Sequence, residues 1–116
     1  MKNSAQRSMI MVTITSENFE SEVLQSKVPV LVDFYADWCG PCKMMAPSVE
    51  AMEGIYGDKL KIGKLNVDDN PDIAEKYNVM SIPTLIFFEG GNAVQTSVGL
   101  ISRSALQEKI DSVVHA

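Results

Sequence analysis

Residues 28–36 read V-P-V-L-V-D-F-Y-A, a run that is apolar throughout except for Asp33. A stretch this short and this uniformly apolar is predicted to form a strand buried on both faces, with helices covering each side of its sheet. Pro29 belongs near the start of that strand, because proline cannot donate to a ladder. This one segment points to an α/β layered architecture and away from an all-helical bundle or a one-faced sheet.

The flanking segments supply the layers. Residues 11–15 form a short, mostly β-branched strand candidate, and Ser16 is placed to cap a helix carrying Phe19, Val23 and Leu24 on one stripe. The next helix is predicted to begin at Cys39 or Gly40, with Cys42, Met45, Ala46, Val49, Met52 and Tyr56 inward and a kink at Pro47. Residues 59–67 give a third strand. Asn70-Pro71 reads as an N-cap followed by proline at the first helical position, before a short helix with Ile73, Ala74 and Tyr77 on one side. Residues 83–89 form a fourth strand. Gly90-Gly91 then turns the chain into residues 93–98, and Ser102 caps a last helix burying Leu106, Ile110, Val113 and Val114. The order is β-α-β-α-β-α-β-β-α, with parallel pairing early and an antiparallel pair at one edge. Residues 1–8 read as a flexible polar tail and residues 9–116 as one domain, which suits a chain of 116 residues.

Ten basic and fifteen acidic residues leave a net charge of -5. Lys43, Lys59, Lys61, Lys64 and Lys76 are scattered, so the clustered cations that nucleic-acid binding needs are absent from the sequence. No window has the length and apolarity of a membrane span, and no signal-peptide pattern opens the chain, so a soluble cytoplasmic monomer is the expectation.

The two cysteines stand in Trp38-Cys39-Gly40-Pro41-Cys42. A loop this short restrains the unfolded chain little, so the pair is better suited to chemistry than to stapling the fold. At a helix start, a three-residue separation brings both sulfurs to one face. Free first-turn N–H groups and the helix dipole favour a thiolate there, most of all on the first cysteine. Cys42 begins the buried stripe and is expected to be covered, whereas Cys39 at the tip beside Trp38 is expected to be exposed. Cys39 is therefore read as the attacking nucleophile and Cys42 as the resolving thiol of a dithiol–disulfide exchange that needs no organic cofactor.

Burial raises the pKa of a thiol, so Cys42 needs a proton acceptor. Asp33, the one ionisable residue of its strand, is the candidate; the alternative is a satisfied buried carboxylate, paired with a lysine for packing specificity. Lys64, on a strand expected to neighbour it, is either that lysine or an ordinary exposed one. Pro83 either follows a cis bond that opens the Ile82 backbone to an extended substrate or simply starts a strand in trans. Trp38 either covers the core or joins Pro41 and Ile82 in an apolar contact surface. A zinc site is disfavoured, because Cys39, Cys42 and the near-terminal His115 leave the usual set of four ligands unfilled. Asp68, Asp69 and Asp72 are read as capping and solubilising, and Met44, Met45 and Met52 as core packing.

The segments V-L-V-D-F-Y-A-D-W-C-G-P-C-K-M-M-A-P, K-L-N-V-D-D-N-P, S-I-P-T-L-I-F-F and V-G together resemble the thioredoxin family over nearly the whole chain. The resemblance implies a thioredoxin fold, with a central mixed five-stranded sheet flanked by four helices. It implies that Cys39 attacks, Cys42 resolves, Asp33 transfers the proton and Lys64 is its charged neighbour. It also implies Pro47 as a helix-kinking proline, a cis Pro83 facing the disulfide, and a loop Gly99 that lets substrate approach. Gly40 falls with Trp38, Pro41 and Ile82 in the implied substrate-contact set. Implied partners are a flavin-containing, NADPH-dependent thioredoxin reductase, or a ferredoxin-linked one, and clients such as ribonucleotide reductase, peroxiredoxins and methionine sulfoxide reductases. Tyr35 stands where the family often has tryptophan, and Met80-Ser81 precede Ile82 where members vary. A protein-disulfide oxidase or isomerase, and a non-catalytic binding module, are the competing functions.

Overall fold

The computed structural model describes residues 11–114, so the expectations for the 1–8 tail and for His115 lie outside the described residues. Five strands, β1 (Val12–Thr13), β2 (Val30–Tyr35), β3 (Lys61–Asn66), β4 (Thr84–Glu89) and β5 (Asn92–Val98), form one sheet in the order β1-β3-β2-β4-β5. β3 pairs in parallel with both β1 and β2. β4 runs antiparallel to β2 as well as to β5, so the reversal reaches the centre of the sheet and not only its edge. The Gly90-Gly91 turn has both glycines at positive φ, the conformation that closes so short a connection.

Among the described residues four helical segments flank the sheet, a π-helical turn (Glu20–Leu24), α1 (Gly40–Tyr56), α2 (Pro71–Lys76) and α3 (Arg103–Val113), and a short 3-10 turn (Gly57–Lys59) follows α1. The period-two alternation of β2 and β4 divides the core between them. Val30, Val32, Phe34, Ile86 and Phe88 pack with Phe19 and Val23 of the first segment and Ile73 and Ala74 of α2. Leu31, Leu85 and Phe87 pack on the other face with Met45, Val49 and Met52 of α1 and Leu106, Ile110 and Val113 of α3. Asp33, two residues beyond Leu31, shares that second face. Phe19, Tyr77 and Phe88 contact one another with ring centroids 5.2 to 5.6 Å apart, seating the end of α2 on the sheet.

Several local expectations are corrected. Ser16 does not cap the first helical segment: its N–H donates to Asn70 Oδ1 and its hydroxyl to Asp72, drawing the segment toward α2 instead. Asn70 holds the N-cap position of α2 without a side-chain cap bond, because its amide is committed to Ser16 and to the Asn66 carbonyl. Met44 is 67% exposed, since one helical step of about 100° from the buried Met45 carries it off the core stripe. Ser102 does cap α3, accepting from Ala105 N at 3.1 Å.

Candidate active site

Cys39 is the N-cap of α1, with extended backbone, and its sulfur accepts the Cys42 N–H at 3.2 Å. Gly40 and Pro41 occupy the first helical positions, where proline loses no intrahelical hydrogen bond. Cys39 and Cys42 are joined as a disulfide with Cα atoms 5.3 Å apart. The helix start therefore aims an unshared amide at the first sulfur, the arrangement that favours a thiolate on it after reduction.

The expected difference in exposure between the two cysteines is not found. Cys39 is 3% and Cys42 5% exposed. Both pack with Ala36, against Tyr35, Val67 and Ile82, and that flanking cover reaches the helix tip as well as the buried stripe. What separates them is the direction each faces. Cys39 opens onto an outer groove of about 470 Å³, and Cys42 onto a smaller inner pocket of about 180 Å³.

The outer groove brings together Trp38, Cys39, Gly40, Pro41 and Ile82. Val67, Val79, Met80 and Ser81 complete its lining. Cys39 Sγ lies 3.8 Å from the Ile82 carbonyl oxygen. The Ile82–Pro83 peptide is cis, not the trans strand start that the residue pattern left open. Pro83 is buried behind Ile82, and Gly99, at φ 90°, donates its N–H to the Pro83 carbonyl at 2.8 Å without lining the groove itself. Pro47 is exposed, lies outside both cavities, and α1 continues through it. Trp38 does not cover the core: it is 70% exposed, and its indole Nε1–H donates to Asp68 Oδ2 at 2.8 Å.

The inner pocket joins Cys42 to Asp33, with Tyr35, Lys43, Glu50 and Lys64 around it. Asp33 is 6% exposed, and no protein group donates a hydrogen bond to its Oδ1. Burial pushes its carboxyl up to about 6, against a smaller downward pull from the Lys64 charge. Lys64 is Asp33's partner in the β2–β3 register, yet it is exposed, and its Nζ sits over the Tyr35 ring, 5.4 Å from the centroid. Tyr35, where tryptophan is frequent in the resembled family, thus carries the lysine whose field Asp33 feels.

Sequence reasoning missed Asp68 as the residue holding Trp38, and Val67 and Val79 as groove walls. Asp68 lies 30 residues from Trp38, so no local spacing could signal it. Val79 was signalled only by adjacency to Ile82, and Met80 by its place where members of the resembled family vary. Among the described residues, no group of three or more His, Cys, Asp or Glu could hold a metal ion. The two sulfurs and the carboxylate are sufficient in kind for disulfide exchange with proton transfer.

The family model described as Thioredoxin matches residues 10–112. The chain is 50% identical over 97 residues to the thioredoxin of Streptomyces clavuligerus, covering 84% of this chain and 90% of that one. It is 48% identical over 101 residues to the thioredoxin of Pseudomonas aeruginosa, covering 87% and 94%. It is 44% identical over 102 residues to thioredoxin 1 of Synechococcus elongatus, covering 88% and 95%.

Proposed function

The chain belongs to the thioredoxin family and is a thiol–disulfide oxidoreductase; on that premise we propose that it is a protein-disulfide reductase, attacking through Cys39 and resolving through Cys42. The observation that carries this reading is the position of Cys39: at the N-cap of α1, accepting the Cys42 amide and facing the apolar groove.

In the reduced protein the Cys39 thiolate attacks one sulfur of a client disulfide. A Cys39–client bond forms, the client S–S bond breaks, and the other client sulfur leaves and takes a proton. The client backbone lies extended beside Ile82, with Trp38, Gly40, Pro41, Pro83 and Gly99 shaping the contact. Asp33, largely ionised near neutral pH, accepts the Cys42 proton within the inner pocket, which has room for water to carry it. The Cys42 thiolate then attacks Cys39 Sγ, the mixed disulfide breaks, and the client leaves with both electrons. The protein is left with the Cys39–Cys42 disulfide.

Regeneration returns two electrons from a thioredoxin reductase, NADPH-dependent or ferredoxin-linked. Clients of the implied kind are ribonucleotide reductase, peroxiredoxins and methionine sulfoxide reductases. Burial holds the Asp33 carboxyl up and the Lys64 charge moderates that rise, and Pro47 shapes α1. The reading places the chemistry in one domain, residues 9–116, acting as a cytoplasmic monomer without an organic cofactor or metal. No helix among the described residues is long and apolar enough to cross a membrane.

The test is the Cys39–Cys42 midpoint potential together with turnover by a purified thioredoxin reductase. A reducing couple and NADPH- or ferredoxin-driven turnover support the reading. A strongly oxidising couple overturns it in favour of a disulfide oxidase.

A further inference from the structure

We propose that Met80 sets client preference: its side chain is an adjustable apolar wall that selects disulfides flanked by uncharged, apolar residues. The inference rests on the reductase reading above and concerns which clients the same groove accepts.

None of the residues lining the groove carries a charge, although the chain as a whole is at -5. Ser81 contributes the lone hydroxyl among them. A client carboxylate seated there would give up water and find no counter-ion among the lining residues, with the Asp68 carboxylate beside Trp38 adding repulsion, whereas an apolar side chain would cover Val67, Val79 and Ile82.

Met80 differs from the rest of this lining. At 85% it is the most exposed of the large apolar side chains among the described residues. Its backbone is pinned on both sides: Val79 N donates to the Ala74 carbonyl at 2.8 Å, and the Ser81 carbonyl accepts from the Thr84 hydroxyl at 2.6 Å. Asn78, at φ 59°, turns the chain out of α2 just before it. Trp38, which also lines the groove, is exposed as well, but Asp68 holds its indole. The groove lining thus has one exposed apolar side chain that is held and one, on a fixed backbone mount, that ends in an unheld, unbranched thioether. Methionine's flexibility lets it fit differently shaped apolar neighbours, and its exposed area is recovered only when a client covers it.

The experiment compares kcat/KM of the full chain on two disulfide peptides that differ only in having Leu or Glu beside the target cysteine. The wild-type protein favours the Leu peptide. Met80→Gln, of similar length but polar, lowers kcat/KM for the Leu peptide by about fivefold and leaves the Glu peptide within about twofold. Met80→Leu keeps the wild-type preference. Reduction of Cys39–Cys42 by dithiothreitol proceeds at one rate in all three, showing an undisturbed disulfide. An unchanged Leu-to-Glu ratio in Met80→Gln overturns the proposal, as does a loss in Met80→Leu equal to that in Met80→Gln. A wild-type protein that reduces neither peptide overturns the reductase reading, and this inference with it.

Discussion

Trp38 donates its indole N–H to the carboxylate of Asp68 across 2.8 Å, which fixes a side chain that is otherwise 70% exposed. Without that bond the ring is free to swing over or away from the groove. Asp68→Ala should therefore act on client capture more than on folding. Both partners face solvent, so stability should change by less than about 1 kcal/mol. KM for a disulfide-containing protein such as insulin should rise by about threefold, with kcat nearly kept. Trp38 is the only tryptophan of the chain, so its emission reports the ring's freedom directly. Unaltered emission and unaltered KM together would show that the bond does not position the ring.

With both cysteines similarly buried, the reactivity difference is assigned to the helix start and to the cavity that each sulfur faces. The Cys42 amide stabilises charge on Cys39 Sγ, while Cys42 looks into the pocket of Asp33. In the reduced protein at pH 7, iodoacetamide should label Cys39 at least about tenfold faster than Cys42. Cys42→Ser should still attack clients and accumulate them as a mixed disulfide at Cys39. Cys39→Ser should accumulate none. Mass spectrometry of the alkylated and client-trapped proteins measures both, and equal labelling would remove the assigned order of attack.

The parts of this molecule that were legible in its sequence are those set by neighbours along the chain. The apolar run around Asp33 became the central strand β2, because a strand covered on both faces shows no polar alternation. Ser102 capped α3 because its partner, Ala105, is three residues away. The doubtful features were decided by residues far off in sequence. Ser16 gave up its capping role to residues 54 and 56 positions away. Cys39 lost its expected exposure to a wall formed by Val67 and Ile82. Trp38 found its anchor on a loop that composition marked only as acidic. The placement of β4 beside β2, antiparallel, followed from the sheet as a whole and from no segment of it.

The Ser102 cap offers a stability test away from the disulfide. Its hydroxyl satisfies one of the first-turn N–H groups of α3, the helix that carries Leu106, Ile110 and Val113 into the core. Ser102→Ala should cost about 1 kcal/mol and lower the melting temperature by several degrees, with disulfide turnover retained. Urea unfolding of the two proteins checks this. A change below about 0.3 kcal/mol would mean that water replaces the cap without loss.

Asp33→Asn separates stability from turnover. The folded carboxyl titrates at about 6, above its ordinary 3.8, so the folded state holds this proton more tightly than the unfolded chain does. Below pH 3.8 both states are protonated, and Asp33 costs nothing through ionisation. Between those two values the unfolded chain ionises first, and stability falls as pH rises. Above about pH 6 the penalty is complete and stays level. The shift sets its size at no more than about 3 kcal/mol. An amide at the site of the unpartnered Oδ1 still lacks a bond, so a gain of about 2 kcal/mol is expected for Asp33→Asn at pH 7, falling toward zero near pH 4. The same substitution removes the proton acceptor of Cys42. Single-turnover kinetics at pH 7 should show mixed-disulfide resolution slowed by about tenfold or more, with initial attack by Cys39 altered less. A stability gain independent of pH would deny the carboxylate its raised titration. Resolution unchanged from pH 6 to 8 would leave Asp33 as a buried charge with no part in the exchange.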